Sequence, residues 1–319
     1  MNSELWSIRF RRRDALALSL LAGLRTAFGA DKVGGNTVRL LTVGNSFSGN
    51  ATKYLDPLVK AAGHTLIHQP VVVGGAPLSL HWGRAELHEK NPTDPGGLYA
   101  NQESLKQMLA AQPWDFVTIQ QASIKSHDLA SYRPFAKQLH DYIKQHAPHA
   151  EVLIHQTWAY RVDDPRFSPA TAKDGEPATQ AQMYEQLTRA YTTIAAELGV
   201  RRLPVGDAFH LVDTDAKWGY RPDAKYDFKN ETPAALPDQT HSLHVGWRKT
   251  KDKDGKIALV MDGHHANLAG EYLGGCVWLE VLFGRSAVGN VFIPPGLDQD
   301  FARFLQTTAH RAVEATHPR

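Results

Sequence analysis

At 319 residues the chain can bury a sizeable core, as one large domain or two small ones. Its 42% hydrophobic and 21% charged residues exclude the disordered and fibrous classes, and a formal net charge of +2 is too small for a dedicated nucleic-acid binder. A single cysteine excludes an intramolecular disulfide and any cysteine-based metal site, whereas 16 histidines direct attention to metal or acid–base chemistry.

Residues 1–30 carry Arg9, Arg11, Arg12, Arg13 and Arg25 against Glu4 and Asp14. The basic cluster precedes a ten-residue apolar run, Ala15 to Leu24, and then small residues around Ala27, Gly29 and Ala30. That is the layout of an export signal, and the run is too short to span a bilayer. The Arg12-Arg13 pair hints at the twin-arginine route. With +2 on the whole chain and +3 on these residues, removal leaves −1. The expectation is a bacterial protein exported to the periplasm or beyond, without a stable membrane anchor after processing.

Residues 31–319 read as a single domain, its α/β part running from about 36 to 290. Short apolar runs predict strands at Val38–Val43, Leu66–Val73, Asp115–Gln120, Glu151–Gln156 and Arg202–Val205. A helix is expected from about Asn50 to Ala62. Phe135, Leu139, Tyr142 and Ile143 share one helical face, as do Met183, Leu187, Tyr191, Ile194 and Leu198 ahead of a stop at Gly199. Nearly continuous apolar strands alternating with amphipathic helices indicate a parallel sheet covered on both faces. Residues 161–180, with Pro165, Pro169 and Pro177, read as a polar surface loop. The stretch 212–260 reads as an insertion, a hairpin between Leu243–Trp247 and Ile257–Met261 with a solvated tip at Asp254-Gly255. A last helix is expected from about Asp300 to Val313.

In open α/β sheets ligands bind beyond the carboxyl ends of the strands. After the first strand stands Gly44-Asn45-Ser46-Phe47-Ser48. A serine at a strand-to-helix turn exposes its hydroxyl for attack, and its N–H lies at a helix N-terminus where an oxyanion can be held. The α/β-hydrolase elbow, Gly-x-Ser-x-Gly, is disfavoured because Ser48 occupies its last glycine. Far along the chain, Asp262-Gly263-His264-His265 precedes an apolar helix through Trp278 and Phe283. On a tight turn, an aspartate three residues before a histidine can hold its Nδ1–H while Nε2 faces out as a base. His265 has that spacing, with His264 as competitor.

Together these blocks resemble the SGNH (GDSL-type) hydrolase superfamily over about residues 38 to 284, in a little-characterised bacterial branch with a Gly-Asn-Ser-Phe-Ser first block. The resemblance implies a three-layer α/β/α, flavodoxin-like fold with a five-stranded parallel sheet. It further implies Ser46 as nucleophile, His265 as general base and Asp262 as orienting carboxylate. Ser46 N–H and Gly75 N–H, with Gly74 as alternative, would form the oxyanion hole. The family's Gly-x-Asn-Asp block is replaced here by Gln120-Gln121-Ala122-Ser123. A glutamine amide can donate as asparagine does, which selects Gln121 for the hole, with Gln120 as alternative.

His81-Trp82 follows the glycine turn, and His155, Trp158 and Tyr160 follow the fourth strand. With Gln120 they are candidates for holding a sugar ring. Most of the other histidines, among them His64, His68 and His88, read as solvated surface or loop. The reading that follows is a serine esterase removing acetyl or similar groups from a small-molecule or polysaccharide ester, with no cofactor. Two alternatives stand beside it. One is a non-catalytic carbohydrate-binding protein on the same fold. The other is a metal-dependent hydrolase using Asp262, His264, His265 and His155.

Overall fold

The computed structural model describes residues 37–168, 175–228, 235–251, 253 and 255–317. The expected export segment lies outside them. Four runs rich in Val, Ile and Leu and one short edge strand form one parallel sheet: β1 (Thr37–Gly44), β2 (Thr65–Val72), β3 (Phe116–Ile119), β4 (Glu151–His155) and β5 (Arg201–Leu203). Their order is β2-β1-β3-β4-β5, so the chain reverses its direction of travel across the sheet between β1 and β3. The register pairs Gly44 with Val72, Val43 with Ile119 and Ile119 with Ile154. The carboxyl ends of β1 to β4 therefore line up along one edge, and the crevice at the reversal point opens there.

Between β1 and β2 the expected single helix is two short ones, α1 (Ser46–Thr52) and α2 (Leu55–Ala61). The Asn45 side chain accepts from the Phe47 N–H, and this cap, the first residue after the strand, starts the helix at Ser46. Helices α3 (Leu78–Lys90) and α4 (Leu105–Ala110) carry the chain from β2 to β3. Helix α5 (Phe135–His146) follows β3, and α6 (Gln180–Leu198), ending at Gly199, follows β4. These four pack side by side as one layer.

Beyond β5 come α7 (Val205–Asp213), the antiparallel pair β6 (His244–Lys251) and β7 (Ile257–Ala266), then α8 (Leu268–Phe283) and α9 (Gln299–Thr316). Helix α8 is buried from Ala269 through Phe283 because α1, α2, α7 and α9 all pack on it, which accounts for its all-round apolar sequence. The fold is the expected α/β/α sandwich. Among the described residues no helix is long and apolar enough to cross a membrane.

Candidate active site

Ser46, His265 and Asp262 meet at the carboxyl end of β1. His265 Nδ1 lies 3.0 and 3.2 Å from the two Asp262 oxygens, and its Nε2 lies 2.9 Å from Ser46 Oγ. An ionised carboxylate only accepts, so Nδ1 carries the proton and Nε2 is left to accept from the serine hydroxyl. The His265 backbone N–H also donates to Asp262. Burial pulls the Asp262 pKa up, but these two hydrogen bonds and the neighbouring imidazoles outweigh it and hold the carboxyl below its ordinary value.

The Asp262–His265 segment is not the tight turn expected. It is the end of β7, distorted by a bulge: a step of two residues on β6, His244 to Gly246, faces a step of four on β7, Ala266 to Asp262. What shapes the bulge is Arg161. Its backbone N–H donates to the Gly263 carbonyl at 2.8 Å. Its buried guanidinium reaches both Asp163 oxygens (2.7 and 3.0 Å), Gln239 Oε1 (2.7 Å) and Ser242 Oγ (3.3 Å), and lies over the Tyr220 ring. Gly246, at φ +71, sits where a Cβ would come within 2.1 Å of Arg161 Nη1, so no side chain fits there. The segment expected to be a polar surface loop thus begins with one of the most deeply buried side chains of the protein. Sequence reading passes over Arg161 because a lone arginine after a strand carries no local signal.

Both glutamines at the end of β3 are engaged elsewhere. Gln121 Nε2 donates to the Ser131 carbonyl and hydroxyl, and its Oε1 accepts from the Leu78 and Ala122 N–H groups. With its amide committed to that loop, Gln121 does not supply the expected oxyanion donor. Gln120 Nε2 donates to Asn45 Oδ1 at 2.7 Å, and its Oε1 takes the Nδ1–H of His155 at 2.8 Å. Asn45 in turn donates to the Ala76 carbonyl at 3.0 Å. A buried chain, His155–Gln120–Asn45–Ala76, therefore ties the turn holding Ser46 to the turn holding Gly75.

Among the described residues neither Ser46 N–H nor Gly75 N–H has a hydrogen-bond partner. Gly75 stands at φ +66 with open space around its Cβ position; glycine is required by the backbone angle, not by crowding. Asn45 was legible in principle, as an N-cap residue at a strand-to-helix junction.

The candidate sugar-binding residues divide. His81 is fully buried, with Nδ1 against Tyr99 Oη (2.9 Å) and Nε2 against the Gly44 carbonyl (3.1 Å), so it braces the end of β1 and faces no substrate. Trp82 packs edge-on against Tyr142 of α5, in the helix layer. His155 is buried against Trp278, and burial pushes its pKa down to about 3. Trp158 is fully buried between Phe47 and Phe209, and its Nε1–H donates to the His264 carbonyl. These four are supports, as is Gln120. Tyr160 differs: its ring lies 5.6 Å from that of His264, and its hydroxyl lies 3.0 Å from Ser123 Oγ.

Asp262, His264 and His265 can each offer one ligand atom within 4.8 Å of the others. Nδ1 of His265 is hydrogen-bonded to the carboxylate at 3.0 Å, and Nδ1 of His264 lies 3.2 Å from it as a charge contact. His155, the fourth member of the metal reading, is committed to Gln120 and does not join them.

The crystal structure of a DUF4886 family protein from Bacteroides uniformis is similar to this chain, at 24% identity and a TM-score of 0.64, covering 87% of this chain and 95% of that one. A candidate SGNH hydrolase from Slackia heliotrinireducens aligns at 21% identity and a TM-score of 0.46, over 76% of this chain and 98% of that one. A candidate GDSL-like lipase from Parabacteroides merdae aligns at 12% and 0.42, over 77% and 95%. No curated protein matches. Residues 39–210, a span that includes Ser46 and Gly75 and stops short of Asp262, match the family described as domain of unknown function (DUF4886), and the chain belongs to that family.

Proposed function

We propose that this protein is a serine esterase of the SGNH type, exported, that hydrolyses acyl esters, acetyl among them, on carbohydrate. The observation that carries the reading is the continuous hydrogen-bonded chain Ser46–His265–Asp262 beside two unpartnered backbone N–H groups. Ser46 Oγ attacks the ester carbonyl as His265 Nε2 takes its proton, and Asp262 stabilises the imidazolium. The oxyanion sits between the N–H groups of Ser46 and Gly75, at the head of α1. His265 returns the proton to the departing alcohol, and water, activated by the same ring, releases the acid.

Hydrolysis of a small chromogenic acetyl ester tests the reading. Ser46→Ala and His265→Ala should each lower kcat by at least about 10³-fold. Equal rates in all three proteins overturn it. Activity lost to a chelator but kept in Ser46→Ala replaces it with metal chemistry at Asp262, His264 and His265. Tight binding of an acetylated sugar without turnover by the wild-type chain replaces it with a binding protein.

A further inference from the structure

The strand order sets the turns along the sheet edge in the spatial sequence β2, β1, β3, β4. Gly75 stands on the β2 side of Ser46. On the opposite side, beyond the ends of β3 and β4, lies a cavity of about 200 Å³ whose walls include Ile124, Tyr160, Arg166, Phe167, Glu176 and Met183. At ~30 Å³ per water this is room for at least about six waters, enough for a single ring. His264 is not a wall of this cavity but stands between its Tyr160 wall and the nucleophile's base: its ring is 5.6 Å from Tyr160 and 4.2 Å from His265.

Resting on the serine-esterase reading, we infer that this cavity is the subsite for the alcohol half of the ester, and that it takes one hydroxyl-bearing ring. Proton traffic gives the direction. The departing oxygen must receive its proton from His265 Nε2, so the alcohol leaves on the His265 side, while the carbonyl oxygen points the other way, to the Ser46 and Gly75 N–H groups. The body of the alcohol then extends past His264 to Tyr160.

The walls give the chemistry. Ile124, Phe167, Met183 and the Tyr160 ring offer apolar surface for a ring face. The Arg166 guanidinium lies 4.9 Å over Tyr160 and donates to its hydroxyl at 3.2 Å, and Glu176 stands 3.4 Å from His127 Nε2. A plain alkyl alcohol would strip water from these groups and offer nothing in return. A ring bearing several hydroxyls accepts from Arg166 and donates to Glu176.

The test compares kcat/KM for two esters with the same acyl group: a methyl glucoside carrying one acetyl ester, and ethyl acetate. Wild type should favour the sugar ester by at least about 100-fold, the upper range of what space-filling contacts alone supply, with the hydroxyl contacts adding to it. Ile124→Trp, which fills the cavity from its exposed rim (Ile124 is 48% exposed), and Arg166→Met should each cut that ratio by at least about tenfold, mainly through KM of the sugar ester. An active wild type with no preference, or variants that leave the ratio unchanged, overturn the subsite. Loss of the parent reading looks different: either no ester is cleaved, or Ser46→Ala cleaves both as wild type does.

Discussion

Asn45 is the residue whose replacement tests the architecture most directly, because one buried carboxamide does three jobs. It accepts from the Phe47 N–H at 3.0 Å and from Gln120 Nε2 at 2.7 Å, and it donates to the Ala76 carbonyl at 3.0 Å. Asn45→Ala removes the α1 cap, at about 1 kcal/mol. It also leaves the Gln120 amide hydrogen and the Ala76 carbonyl without partners in a dry interior, at about 1–3 kcal/mol each. The expected loss is therefore about 3–7 kcal/mol, a large share of the ~5–15 kcal/mol that holds a domain together.

Asn45→Asp separates the jobs. It keeps the cap and the acceptor for Gln120 but faces the Ala76 carbonyl with an acceptor, so only the tie to the Gly75 turn is cut. Its buried charge has no counter-ion, so urea unfolding at pH 7 should place this variant no nearer wild type than Asn45→Ala. Its kcat on a chromogenic ester should still fall by up to about 10²-fold, the order seen when one oxyanion donor is misplaced. Should Asn45→Ala unfold within 1 kcal/mol of wild type with an unchanged kcat, the clamp between the two turns has no energetic content and the reasoning fails.

Other consequences concern pH, the bulge and the aspartate. His81 and His244 have pKa values pushed down to about 4, and His155 to about 3, all by burial first. They stay neutral in the fold while the unfolded chain protonates near pH 6.5, so below that pH the unfolded state binds more protons and stability falls as pH falls. Each histidine costs about 2 kcal/mol at pH 5 relative to pH 7.5, and urea unfolding at the two pH values should differ by several kcal/mol; a flat profile contradicts their burial as neutral rings. Arg161→Met leaves the Asp163 carboxylate without its counter-ion, with Tyr220 and Trp247 still donating to it, and should cost about 3 kcal/mol, with faster amide exchange in β6 and β7 than in β1 or β3; protection lost evenly across the chain would deny that Arg161 acts on the bulge. Asp262→Asn is expected to lower kcat by about 10⁴-fold while leaving KM within a few-fold, since the wrong tautomer faces Ser46; an unchanged kcat would remove Asp262 from the reaction.

What the sequence made legible is what depends on near neighbours. The parallel sheet follows from its short apolar runs, the α6 face from Met183, Leu187, Tyr191 and Ile194, and the Asp262–His265 pair from a spacing of three. The polar residues misassigned to the site have partners that are remote in sequence. Gln121 is spent on Leu78 and Ser131, His81 on the Gly44 carbonyl and Tyr99, and Gln120 on Asn45, 75 residues away. No periodicity encodes such pairings, because a buried polar side chain needs only one well-placed partner, and the fold can supply it from any strand end.

The same reasoning bears on the histidines. Three of those that drew attention as pocket or metal candidates, His81, His155 and His264, divide by partner: the first two are neutral braces within the sheet edge, and the third stands between His265 and the Tyr160 cavity. At His81 and His155 the imidazole serves as a compact donor–acceptor group that ties strand ends together without charge. A single pair of atoms, Nε2 of His265 and Oγ of Ser46, separates the one ring aimed at a nucleophile from the rings that hold the sheet edge in place.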